Sequence, residues 1–128
     1  MHSPGITETL ERIYALPVSL KAEMALRSQV SLLGLVKSIG YPAIRSDVNV
    51  ALLKDGIRER REILERWLRY SAEKEPAWGW FFELNHRGSY AVGLRSGFSD
   101  KALGEITDPW EACAFFIKQE LEAILGAS

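Results

Sequence analysis

In WLRYSAEKEPAWGWFFELNHRGSYAVGL, residues 67–94, the interval between apolar side chains changes once, and that change decides the fold. On its N-terminal side Ile57, Leu64, Trp67 and Leu68 recur at helical spacing, and charges occupy the rest of the surface up to about Glu73. Glu75-Pro76 closes the helical half. Beyond it Trp78, Trp80, Phe82 and Leu84 alternate with Gly79, Phe81, Glu83 and Asn85, the period of a strand with two different faces. Asn85-His86-Arg87-Gly88 is a turn signal, and Tyr90, Val92 and Leu94 resume the alternation, so the pair reads as a β-hairpin.

On the C-terminal side a loop through Gly97, Ser99 and Asp100 leads to a weaker strand expected over Ala102 to Thr107. Asp108-Pro109-Trp110-Glu111 then combines a capping side chain, proline at the first helical position and an acid three residues after the cap. The helix it starts carries Cys113, Phe116, Ile117, Leu121 and Ile124 as its core stripe and stops near Gly126. On the N-terminal side a helix over 6–15 is expected from Ile6, Leu10, Ile13 and Tyr14, ended by Pro17. A second is expected from Leu20 to about Ile39, capped by Ser19 and stopped by Gly40 ahead of Tyr41-Pro42. Its apolar residues fall on two faces, so it is packed from more than one side. A third begins near Ser46 or Asp47 and carries Val48, Leu52 and Leu53, with Gly56 kinking or dividing it before the pattern resumes at Ile57. On that last stretch Arg58 with Glu62, Arg61 with Glu65 and Glu65 with Arg69 are expected to pair across helical turns.

The layout is α+β: N-terminal helices, then an antiparallel β-hairpin or three-stranded meander, then a C-terminal helix packed on the sheet. One domain is expected over 1–128, with a helical part about 6–74 and the hairpin and closing helix about 77–126. A chain of 128 residues can bury roughly two thirds of the surface its unfolded form exposes. The formal net charge of -1 supplies no overall attraction to phosphate backbones or anionic lipid, so neither nucleic acid nor a membrane is an expected partner. The single cysteine, Cys113, cannot form an internal disulfide and points to a reducing compartment. Met1 to Gly5 does not read as a signal peptide, and no run approaches the roughly 20 apolar residues of a membrane span. A cytoplasmic location is expected.

Catalytic and metal chemistry find little to use. Besides carboxylates the ligand types amount to Cys113, His2 and His86, without a CxxC or HExxH spacing, so no metal or cofactor is expected. His86 reads as a solvated turn residue and Cys113 as a small buried hydrophobe. The glycines form no phosphate-binding loop. Lys54, Arg58, Arg60, Arg61, Arg66 and Arg69 are interleaved with Asp55, Glu59, Glu62 and Glu65, which makes a self-compensated helix face. Residues 100–128 are different: six acids against two bases leave a local charge of -4, an asymmetry that suits a basic partner. Among the aromatics, alternation sends Trp80 and Phe82 under the helices and leaves Phe81 facing outward. A strand with aromatics on both faces must be covered on both sides, by its own helices or by another chain.

Together with DPWEACAFFIKQELEAI over 108–124, the opening stretch resembles small bacterial immunity proteins of contact-dependent inhibition and other polymorphic toxin systems. The matching residues are Trp67, Tyr70, Ser71, Trp80, Phe82, Tyr90, Val92, Gly93, Glu111, Ala112, Cys113, Ala114, Phe116 and Ile117, covering roughly the C-terminal half. The resemblance implies a stoichiometric inhibitor that blocks a cognate toxin domain inside the producing cell. The near-neutral net charge departs from the strong acidity of many nuclease-neutralising members and leaves the toxin class open. The expectation is therefore a non-catalytic protein-binding domain. Exposed members of Asp100, Glu105, Glu111, Glu120 and Glu122 would serve as charge contacts, with Phe81, His86 and Arg87 as hairpin contacts. Two other readings remain: a small enzyme or ligand-binding domain with a carboxylate and aromatic cleft between hairpin and helices, and a structural homodimer.

Overall fold

The computed structural model describes residues 4–25, 31–73, 78–85, 88–96 and 99–126. Helical spacing draws the first segment into α1 (Pro4–Tyr14), which buries Leu10, Ile13 and Tyr14. Pro17 lies just past its end, but it also stands at the second position of α2 (Leu16–Ala25). There the N–H it lacks would have had no helical partner. The single helix expected over 20–39 is instead two, because Ser31 starts a new one. Its backbone is extended (φ -83°, ψ 165°) and its hydroxyl accepts from the Gly34 N–H at 3.0 Å, capping α3 (Leu32–Ser38). Ser19, expected as a cap, lies inside α2.

Gly40 supplies the left-handed turn (φ 91°) read from sequence, and Tyr41-Pro42 then opens the short α4 (Tyr41–Ile44) rather than a loop. The next cap is Asn49, not Ser46 or Asp47: its side chain accepts from the Leu52 N–H at 2.8 Å and begins α5 (Val50–Ile57). The break before α6 (Arg61–Glu73) comes one residue beyond Gly56, after Ile57, where Glu59 adopts φ 63°. Arg60 holds this corner down. Its guanidinium makes two 2.8 Å bonds to Glu11 of α1, donates to the Gly56 carbonyl at 3.3 Å and lies 5.7 Å from the centre of the Tyr14 ring. Arg58, expected to pair with Glu62, sits outside α6 and meets Asp55 at 3.4 Å.

β1 (Trp78–Leu84), β2 (Tyr90–Ser96) and β3 (Ser99–Ile106) form an antiparallel meander in the order β1-β2-β3. Gly88 (φ 86°) sits in the hairpin turn, where the Asn85 N–H reaches the Ser89 carbonyl at 2.9 Å. A register shift between Val92 and Gly93 marks a bulge in the pairing with β3. The outer edge of β1 is partly closed by α6, since the buried Ser71 hydroxyl accepts from the Phe82 N–H at 2.7 Å.

Asp108 caps α7 (Pro109–Gly126) as its sequence requires, its carboxylate accepting from the N–H of Trp110 at 2.9 Å and of Glu111 at 3.3 Å. α7 packs on the inner face of the sheet and also against α3, α5 and α6. The stripe read from sequence is accordingly too narrow: Ala112, Ala114 and Glu120 are buried along with Cys113, Phe116, Ile117 and Leu121. Phe82 is stacked between Tyr90 (5.6 Å) and Phe116 (5.7 Å), and the edges of Trp67 and Tyr70 close around Phe116. One core cluster thus draws on both the helical and the β segments. Among the described residues no helix is long and apolar enough to cross a membrane.

Candidate functional site

The described residues expected to meet a partner divide between the interior and the surface. Glu120, expected among the exposed charge contacts, is only 4% exposed and accepts a 2.6 Å hydrogen bond from the Tyr70 hydroxyl. The cause is tertiary: α6 covers a side of α7 that a single stripe leaves to water. Burial, reinforced by the neighbouring Glu120 carboxylate, pushes the Tyr70 hydroxyl far above its ordinary pKa. Phe81, expected to face outward, is also 4% exposed, although it lies apart from the core cluster and in register with Gly93. Both faces of β1 are therefore covered at this position.

Glu122 is half-buried and serves internal structure. It accepts from the Tyr41 hydroxyl at 2.5 Å and from Arg45, and Lys118 approaches it at 3.4 Å. Burial alone would raise its pKa, but the hydrogen bonds from Tyr41 and Arg45 and the charges of Lys118 and Arg45 outweigh it, so the carboxyl sits below the usual range. Lys118 also donates to the Arg45 carbonyl at 2.8 Å, tying the end of α4 to α7. Glu111 is exposed and lies 3.6 Å from Lys54, which also bonds Asp108 at 2.8 Å. Glu105 is exposed and accepts from the Ser89 hydroxyl at 3.3 Å. Asp100 is placed by its backbone alone, in β3 opposite Arg95, and His86 and Arg87 lie outside the described residues.

What remains at the surface of the sheet is a row. Glu83 of β1 and Glu105 of β3 stand in register on either side of Ala91, both exposed, on the face turned away from the helices. Leu84, at the end of the same strand, is 55% exposed. Cys113 is fully buried, and desolvation pushes its thiol well above the ordinary pKa, which removes the thiolate a nucleophile needs. Among the described residues no group of three or more His, Cys, Asp and Glu is placed to hold a metal ion.

A cleft of about 510 Å³ opens between α2 and α6, a place sequence reasoning missed. Its α2 wall is apolar, formed by Pro17, Val18 and Leu20, and Val18 is 50% exposed. Its α6 wall carries Glu62, Glu65, Arg66 and Arg69, the interleaved charges that read as a solvated helix face. Lys21 and Glu73 also line the cleft and pair across it at 3.3 Å. Only the arrival of α2 opposite α6 turns that face into a wall.

The ion pairs of this surface set a pH dependence. The hydrogen bond from Lys54 holds Asp108 below its ordinary pKa, assisted by the N–H groups of Glu111 and Trp110, and the bond from Arg60 does the same for Glu11. A carboxylate depressed in the folded state contributes stability above its unfolded pKa and loses it as pH falls through the folded value. Stability should therefore decline below about pH 5. Asp108→Asn, which keeps a capping side chain but removes the charge, should flatten part of that decline. Urea unfolding midpoints measured from pH 7 to pH 3 check both, and an unchanged slope in the variant would contradict the assignment to Asp108.

No family model matches the chain, and no similar curated protein or solved structure was found.

Proposed function

We propose that this chain is a non-catalytic protein-binding domain, an immunity protein that neutralises a cognate bacterial toxin by stoichiometric binding in the cytoplasm. The carrying observation is the row Glu83, Ala91, Glu105: two exposed carboxylates flanking a small residue on a sheet face directed away from the helices. Such a face presents negative charge to a basic partner without a bulky side chain between the acids. Several other polar groups serve the fold. Glu120, Glu122 and Asp108 brace the fold, and Cys113 is sealed in the core.

The test is coexpression with a toxin domain encoded in an adjoining reading frame. Growth should be restored, and the purified mixture should run as a 1:1 complex by light scattering. Charge reversal at Glu83 and Glu105 together should slow association, most at low salt, because rim charges act mainly on the encounter rate. Failure of the chain to protect cells, with no complex formed, rejects the proposal.

A further inference from the structure

We propose that the cleft between α2 and α6 binds a small organic monocarboxylate, its apolar body against Pro17, Val18 and Leu20 and its charge on Arg66 and Arg69. This stands apart from toxin binding. At about 510 Å³ the cleft has the size of a small-molecule site, and its two walls are chemically opposite. Val18 leaves half of an aliphatic side chain in water at the mouth, area that an apolar ligand would cover.

The charges select the head group. Glu73 has Lys21 at 3.3 Å, and Glu62 has at 3.7 Å only Arg60, whose guanidinium is bonded to Glu11. Among the described residues neither Arg66 nor Arg69 has a carboxylate within ion-pair distance, and the two guanidinium groups lie three residues apart on one helix face. Arg66 spends one donor on the Tyr14 carbonyl at 3.4 Å, which tethers it to the α1 end while leaving the other donors available. Glu65 shares the wall, and the lining as a whole balances three bases (Lys21, Arg66, Arg69) against three acids (Glu62, Glu65, Glu73). With those charges balanced and only the two guanidinium groups lacking a carboxylate partner, the wall suits a monoanion better than a phosphate dianion. Tyr70 lines the cleft, but its hydroxyl is engaged with Glu120, so it contributes its ring to the apolar part of the site.

Calorimetric titration of the whole chain with octanoate tests the site, alongside octanol and octylamine as bodies of the same length without the negative charge. Octanoate should bind at a single site and more tightly than either control. Arg66→Gln and Arg69→Gln should each weaken it by roughly tenfold, and Val18→Asp should weaken it at least as much. Circular dichroism confirms that the variants are folded, and amide shifts on octanoate addition should fall in α2 and α6. Absence of saturable binding, equal affinity for octanol or octylamine, or unchanged affinity in both folded arginine variants would overturn the proposal. Neither result bears on toxin neutralisation, which is read by cell survival.

Discussion

Phe116→Ala should lower the free energy of unfolding by about 3–5 kcal/mol, the range for truncating a fully buried phenylalanine. The side chain lies where helix and sheet layers meet: stacked on Phe82 at 5.7 Å, edge-on to Trp67 at 6.1 Å and tilted against Tyr70 at 6.3 Å. Removing it leaves a cavity lined by rings that α6, α7 and β1 hold in place, so little collapse can refill it. Domains of this size are stable by only about 5–15 kcal/mol, so the loss is a large fraction of the whole. Phe116→Leu, which keeps most of the apolar volume, should lose clearly less. Urea unfolding at constant slope distinguishes them, and a loss under about 1 kcal/mol for the alanine variant would show that these layers do not depend on the ring.

Gly56→Ala should also destabilise, by about 2–3 kcal/mol, which reverses the usual sign. In an ordinary helix the replacement gains up to about 1 kcal/mol through propensity. Here the added Cβ would lie 2.0 Å from the Tyr14 hydroxyl oxygen and 2.8 Å from the ring carbon that bears it. Tyr14 cannot swing aside cheaply. It is buried, its hydroxyl donates to the Leu53 carbonyl at 3.3 Å, and Arg60 lies over its ring. Burial, with the Glu11 carboxylate adding to it, pushes that hydroxyl up to about 12, so it stays a neutral donor at physiological pH. In a Tyr14→Phe background the closest clash disappears and part of the penalty should be recovered. The double-mutant cycle reads this directly, and a stabilising Gly56→Ala would mean that Tyr14 relaxes away from α5.

The elements legible in the sequence are those whose signals are local. Asp108-Pro109 caps α7, Gly40 turns left-handed, and alternation from Trp78 to Leu94 yields the β-hairpin, because each depends on backbone geometry or a side chain a few residues away. The misread boundaries are places where several capping residues compete. Ser31 outweighed a continuous helix, and Asn49 prevailed over Ser46 and Asp47, choices settled by which start lets the following helix bury its apolar face. Glu120 and Phe81 show the same limit at the surface: periodicity says which residues share a face, not whether another element covers that face.

Taken alone, the residues determined an α+β chain with an antiparallel hairpin, a capped closing helix and a charge pattern interleaved along the helix that precedes the sheet. The tertiary structure decided which carboxylates brace the interior, where Glu83 and Glu105 line up across strands, and that α2 stands opposite the charges of α6. The division has one physical reason. Propensity, capping and periodicity act over a few residues, whereas burial and the pairing of charges depend on groups that meet only when segments distant in the chain pack together.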